Sequence, residues 1–174
     1  MLARLPHMGR PRALALEADA SLRTLLRATL EVNGFDVQDV ASARKALERL
    51  ADPSSRPDVL VLEPVQGRRW TTEILHWVRQ HPALDDLPIV VVTGRVGERE
   101  RSTALSAGAD AFVAKPFSPM SLAEIVTTLA REGRPPASET PLHERIAEPL
   151  TVCWGWEDAR RPMACSAAGI RRAA

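Results

Sequence analysis

The chain has 174 residues, enough for one domain and a tail, and its 45% hydrophobic and 26% charged residues match a soluble globular protein. With 23 basic and 22 acidic residues the formal net charge is +1, so neither a nucleic acid nor an anionic membrane is expected as the main partner. No apolar run approaches the ~20 residues needed to cross a bilayer, and Met1–Arg10 lacks the apolar segment of a secretory signal, with Met8 as an alternative start.

In chain order, Arg12–Glu17 reads as a buried strand. Leu22, Leu25, Leu26 and Leu30 then recur at helical spacing, and Gly34 marks a stop. Phe35–Val40 alternates as a second strand, and Ser42 is placed to cap a helix carrying Ala46, Leu47 and Leu50. Pro53 and Pro57 end that helix and bound a loop. Val59–Leu62 is a continuous apolar run, as expected of a central parallel strand covered on both faces. Thr71–His81 is a helix ended by Pro82, and Ile89–Val92, wholly β-branched, is the strongest strand signal in the chain. Glu98–Ala107 is a polar helix closed by Gly108, a candidate for the left-handed cap position. Ala111–Ala114 is a short fifth strand. Ser118 followed by Pro119 starts a last helix with Leu122, Ile125, Val126 and Leu129 on its buried stripe.

Five strand–helix units imply an α/β fold: a doubly wound, five-stranded parallel sheet of flavodoxin-like order 2-1-3-4-5 with helices on both faces. Ligands of such sheets sit beyond the carboxyl ends of the strands. The residues there are Glu17, Glu63, Thr93 and Lys115. Residues 1–11 read as a flexible start and residues 12–131 as the domain. Residues 132–174, with five prolines and little apolar periodicity, read as a linker and disordered tail. Both cysteines, Cys153 and Cys165, fall in that tail, as do Trp154 and Trp156. The body is free of cysteine, which suits a cytoplasmic protein. The histidines are scattered, and His76 and His81 are five apart, off a common helix face, so no metal site is expected of them.

Residues 12–131 resemble a response-regulator receiver domain. The resemblance is carried by Lys115-Pro116-Phe117 after the fifth strand, Ser106-Ala107-Gly108-Ala109-Asp110 before it, Thr93 after the fourth strand, and Pro57-Asp58 leading into the third. It implies two-component, phosphorelay-type signalling. In that family an aspartate after the third strand takes a phosphoryl group from a kinase histidine, an acidic pair after the first strand helps hold Mg²⁺, and a hydroxyl and a lysine contact the phosphoryl oxygens. Such chemistry requires cations to neutralise charge on the transferring oxygens.

Thr93 and Lys115 match the pattern by position, and the acids depart from it. The phosphoacceptor position is Glu63. Of the acidic pair only Glu17 remains, followed by Ala18, and Asp19 reads as the N-cap of the first helix. Glu63 carries its carboxylate one C–C bond, about 1.5 Å, further out than aspartate would, placing a fixed charge near Lys115 and Thr93 that imitates part of the −1.5 to −2 of a phosphoryl group, as a rough equivalence. The oxygens left for Mg²⁺ are those of Glu17 and Glu63, a weak site expected to be empty, and no other cofactor is expected. Phe112 holds the position of the family's switch aromatic. The loop Pro64–Trp70 replaces the family's usual turn with Gly67, Arg68, Arg69 and Trp70.

These residues predict an atypical receiver, not an enzyme, that acts by protein–protein contact without aspartyl phosphorylation. Its expected partners are a histidine kinase or a downstream signalling protein, met through the surface around residues 95–131, which is also where self-association would be sought. One rival is a conventional phosphorylatable regulator using an acid of the pocket. Another is a ligand- or flavin-binding protein on the same sheet, although Glu17-Ala18-Asp19 would repel a phosphate there. A third is a receiver separated from a DNA-binding domain, for which the tail offers no recognition helix.

Overall fold

The computed structural model describes residues 9–63, 70–94 and 97–134, and of residues 70–72 the backbone alone. The loop residues Gly67, Arg68 and Arg69, the Trp70 side chain, Arg95, His7, His143, and the tail with its cysteines and tryptophans lie outside the described residues. Five strands, β1 (Arg12–Leu16), β2 (Asp36–Val40), β3 (Val59–Leu62), β4 (Ile89–Thr93) and β5 (Ala111–Ala114), alternate with helices α1 (Ala20–Val32), α2 (Ala43–Ala51), α3 (Trp70–Gln80), α4 (Glu98–Ser106) and α5 (Pro119–Glu132). All neighbouring strands are parallel, in the order β2-β1-β3-β4-β5. Among the described residues no helix is long and apolar enough to cross a membrane.

Element ends differ from the sequence reading by a residue or so. Glu17 lies past β1, and α3 begins at Trp70. A 3₁₀ turn over Pro53–Ser55 replaces the expected plain loop, because the Asp52 carboxylate accepts the Ser54 N–H and caps it. Strand side chains alternate between faces. Leu14, Leu60, Leu62, Ile89, Val91 and Phe112 therefore pack toward α2, α3 and α4. Ala13, Ala15, Val59, Val61, Val90 and Val92 pack toward α1 and α5.

Local chemistry fixes the helix ends. The side chains of Asp19, Ser42 and Ser118 accept the N–H of Leu22, Lys45 and Ser121, and Pro119 occupies the first turn of α5. Gly108 leaves α4 at φ 107°, and a Cβ there would come within 2.7 Å of Arg79 Cγ, so both conformation and close approach require glycine. The α4 helix itself has no buried residue and no side-chain cap at Gly97, which makes it the least anchored of the five. Asp58 joins the starts of β1 and β3 by exchanging bonds with Arg12: its Oδ2 accepts the Arg12 N–H at 2.8 Å, and its own N–H donates to Arg12 O at 2.7 Å.

The packing fixes where truncation hurts. Leu30→Ala, at a fully buried position of α1, should cost about 2–5 kcal/mol of unfolding free energy. Val32→Ala on the same helix, at a site 87% exposed, should stay within about 0.5 kcal/mol. Urea denaturation of the two variants measures both.

Candidate functional site

Parallel pairing brings the ends of four strands to one edge. The Glu17 N–H donates to Val40 O at 3.1 Å, the Glu63 N–H to Leu16 O at 2.9 Å, and the Lys115 N–H to Thr93 O at 2.7 Å. Residues 98 positions apart in the chain then meet: Lys115 Nζ lies 2.8 Å from Glu17 Oε2 and 2.7 Å from Glu63 Oε2. The other Glu17 oxygen, Oε1, accepts the Asp19 N–H at 2.9 Å. Thr93 is buried at the end of β4, at the same edge. The Lys115–Pro116 peptide bond is cis.

Sequence reasoning placed the Glu63–Lys115 pair and missed that Glu17 competes for the same ammonium. Glu17 is 1% exposed. Burial by itself favours its neutral form, but hydrogen bonds from Glu63, Lys115 and the Asp19 amide outweigh that and hold its carboxyl below the ordinary value. Glu63 goes the other way. Burial first, then the hydrogen bond and negative charge of Glu17, push it up to about 7 against the pull of Lys115. The expected fixed negative charge on Glu63 is thereby corrected: near neutrality Glu63 shares its carboxylate between a proton and the ammonium. With one cation and two acids in a partly dry site, the better-held acid stays ionised and the other takes the proton.

The β1–α1 loop is held from inside. Asp19 caps α1 through its Oδ1, Ala18 is exposed, and Arg23 Nη1 donates to the carbonyls of Glu17 at 2.9 Å and Ala18 at 3.2 Å, while Arg23 Nε pairs with Asp39 Oδ2 at 3.2 Å. Arg23 was not singled out from the sequence; the one signal for it is a basic residue in the first turn after an acidic loop. Phe112 packs 8% exposed in the layer with Leu62 and Val91, as a core aromatic. His81 lies against Trp77, its ring centroid 4.0 Å away, and accordingly serves the surface of α3.

The residues present do not fit the magnesium ion that this kind of strand-end pocket suggests. Glu17 has both oxygens engaged by an ammonium and an amide, Glu63 faces the same ammonium, Ala18 has no donor, and Asp19 is committed to its cap. Mg²⁺ wants several well-placed oxygens at once. Among the described residues no three His, Cys, Asp or Glu side chains cluster as a metal site.

The model of the response regulator receiver domain matches residues 13–127. The chain belongs to the receiver family. Its relatives include the phosphate regulon transcriptional regulatory protein PhoB of Rhizobium meliloti, 34% identical over 76% of this chain and 57% of the relative. They also include the response regulator MprA of Mycobacterium leprae, 37% identical over 71% of this chain and 53% of the relative. The receiver thus spans about half the length of these curated relatives. Among solved structures, the chemotaxis response regulator CheY4 of Vibrio cholerae superposes with a TM-score of 0.61 at 25% identity, over 70% of this chain and 98% of that one. Receivers are the signalling modules of two-component systems, and this chain is one of them.

A raised folded-state pKa has a definite sign. Glu63 binds its proton more tightly folded than unfolded, so its contribution to stability is complete below the ordinary value of 4.5 and is lost as pH rises through about 7. Glu17, held below its ordinary value, contributes above 4.5 and loses that contribution as pH falls through its own lower value. A carboxyl-carbon NMR titration of the folded protein should therefore find Glu63 with a midpoint near 7. Glu63→Gln should remove its share of the decline in stability between those two pH values. A Glu63 midpoint at or below its ordinary value would contradict the shared-ammonium arrangement.

Proposed function

We propose that this receiver signals by protein contact from a pocket held by its own side chains, without aspartyl phosphorylation. The observation that carries the reading is the Lys115 ammonium, bonded at once to Glu17 and Glu63, at the place where the family uses lysine to meet a phosphoryl group. The cation that would neutralise an incoming phosphoryl group is already committed. The acceptor position holds a longer acid, and the second member of the acidic pair is alanine. In-line transfer needs both near-attack geometry and charge neutralisation, and each is short here. The bonds from Lys115 to Glu17 and Glu63 hold that lysine in one arrangement, biasing the domain toward one signalling conformation. Thr93 and Phe112 remain in the family's positions for reporting the state of that pocket.

Residues 12–131 form the signalling unit in this reading, with residues 1–11 and 132–174 flanking it. The partner, a histidine kinase or a downstream signalling protein, meets the surface of α4, β5 and α5. That face supports the assignment because α4 turns no residue fully inward.

Incubation of the full chain with acetyl phosphate, and separately with beryllofluoride, both with Mg²⁺, should leave its mass and its NMR spectrum unchanged. A stable adduct by either readout would show a working phosphoacceptor and favour the conventional regulator. In the same framework, Glu63→Gln should change the recovery of a partner from the native cell, and unchanged recovery would reduce Glu63 to a solvated strand end.

A further inference from the structure

A second buried charge cluster lies at the opposite edge of the sheet, and the signalling pocket does not use it. Asp110, its side chain 5% exposed, sits just before β5. Its Oδ2 accepts the Ile89 N–H at 2.8 Å and Arg79 Nη2 at 2.7 Å, and its Oδ1 accepts Arg134 Nε at 2.9 Å. Arg79 is saturated. Its remaining N–H groups donate to the carbonyls of Gly108, Asp85 and Leu87, so the end of α3 grips three loops at once. Arg134 differs. It stands 31% exposed, just beyond α5, and its Nη1 reaches outward to Asp85, whose side chain is 61% exposed. Gly133, at φ 80°, stops the helix and turns Arg134 back over the domain.

The cluster therefore has a fixed inner half and a releasable outer half. Arg79 and Asp110 are locked by burial and by a full set of bonds. Arg134 is held by one good ion pair and one solvated one, the kind that salt and small movements weaken. The corner it reaches through Asp110 is where α4 hands the chain to β5, and α4 is the least anchored helix of the fold.

We propose that Arg134 is a latch: paired with Asp110 and Asp85, it ties the C-terminal end of α5 to the α4–β5 corner, so that a shift of that corner is felt at the end of α5. The latch does not depend on how the Glu63 pocket works. It provides a mechanical route from the α4–β5 corner to the end of α5, by the movement of one guanidinium.

The test uses the full chain. Arg134→Gln should raise amide hydrogen exchange at Gly133, whose N–H donates to Leu129 O, by about tenfold, and leave the Ile89 amide within about threefold, because Arg79 still holds Asp110. Leu105→Ala, which loosens the inward side of α4, should move the Arg134 Nε–H resonance of the otherwise native chain. Gly133 exchange unchanged in Arg134→Gln would remove the latch. An Arg134 Nε–H signal indifferent to Leu105→Ala would remove the coupling.

Discussion

One ammonium group has to satisfy two carboxylates at the edge of this sheet. Glu17 is taken almost wholly out of water at the end of β1, a placement that costs several kcal/mol unless a partner and hydrogen bonds compensate. Lys115 provides the partner from beyond β5, reaching past β3 and β4, and the Asp19 amide provides a further bond. Glu63 enters the same space from β3 and finds the cation already engaged, so its own charge is only partly compensated. The rest of the pocket follows from that shortage of positive charge. The β1–α1 loop is pinned by Arg23 and by the cap at Asp19, and among the described residues no three His, Cys, Asp or Glu side chains cluster as a metal site.

The same shortage separates fold from chemistry. The five-stranded sheet, its two helical layers and its membership of the receiver family are intact, and the strand-end residues still converge. Convergence alone performs no transfer, since a fold supplies positions and the side chains supply reactivity. Alanine at position 18 and glutamate at position 63 change the balance of charge without disturbing the backbone that presents them. A receiver can thus keep its sheet and its converging strand ends while the charge balance among them changes.

The architecture was legible in the sequence because its signals are local and periodic. The β-branched run Ile89–Val92, the apolar run Val59–Leu62, and the stops at Gly34 and Gly108 place elements without any knowledge of tertiary contacts. The strand ends then follow from topology, which is why Glu17, Glu63, Thr93 and Lys115 could be grouped in advance. What stayed hidden was long-range and geometric. That Lys115 reaches Glu17 as well as Glu63 depends on side-chain reach across two intervening strands. That Arg23 serves backbone carbonyls depends on where the first turn of α1 points. Asp110 could be read as part of a family motif, but its bonds to Arg79 and Arg134 join residues 31 and 24 positions away, and no spacing announces them.

The most direct measurement removes the shared cation. Lys115→Met keeps the bulk of the side chain and deletes its charge, leaving Glu17 and Glu63 facing each other. Chemical denaturation should show a loss of about 3 kcal/mol or more near pH 8, where both acids of the native chain are ionised against the ammonium, because removing one partner strands buried charge or forces a proton onto it. The loss should shrink toward pH 5, where Glu63 carries its proton. A loss that is small, or equal at the two pH values, would mean that the ammonium does not hold the pocket together.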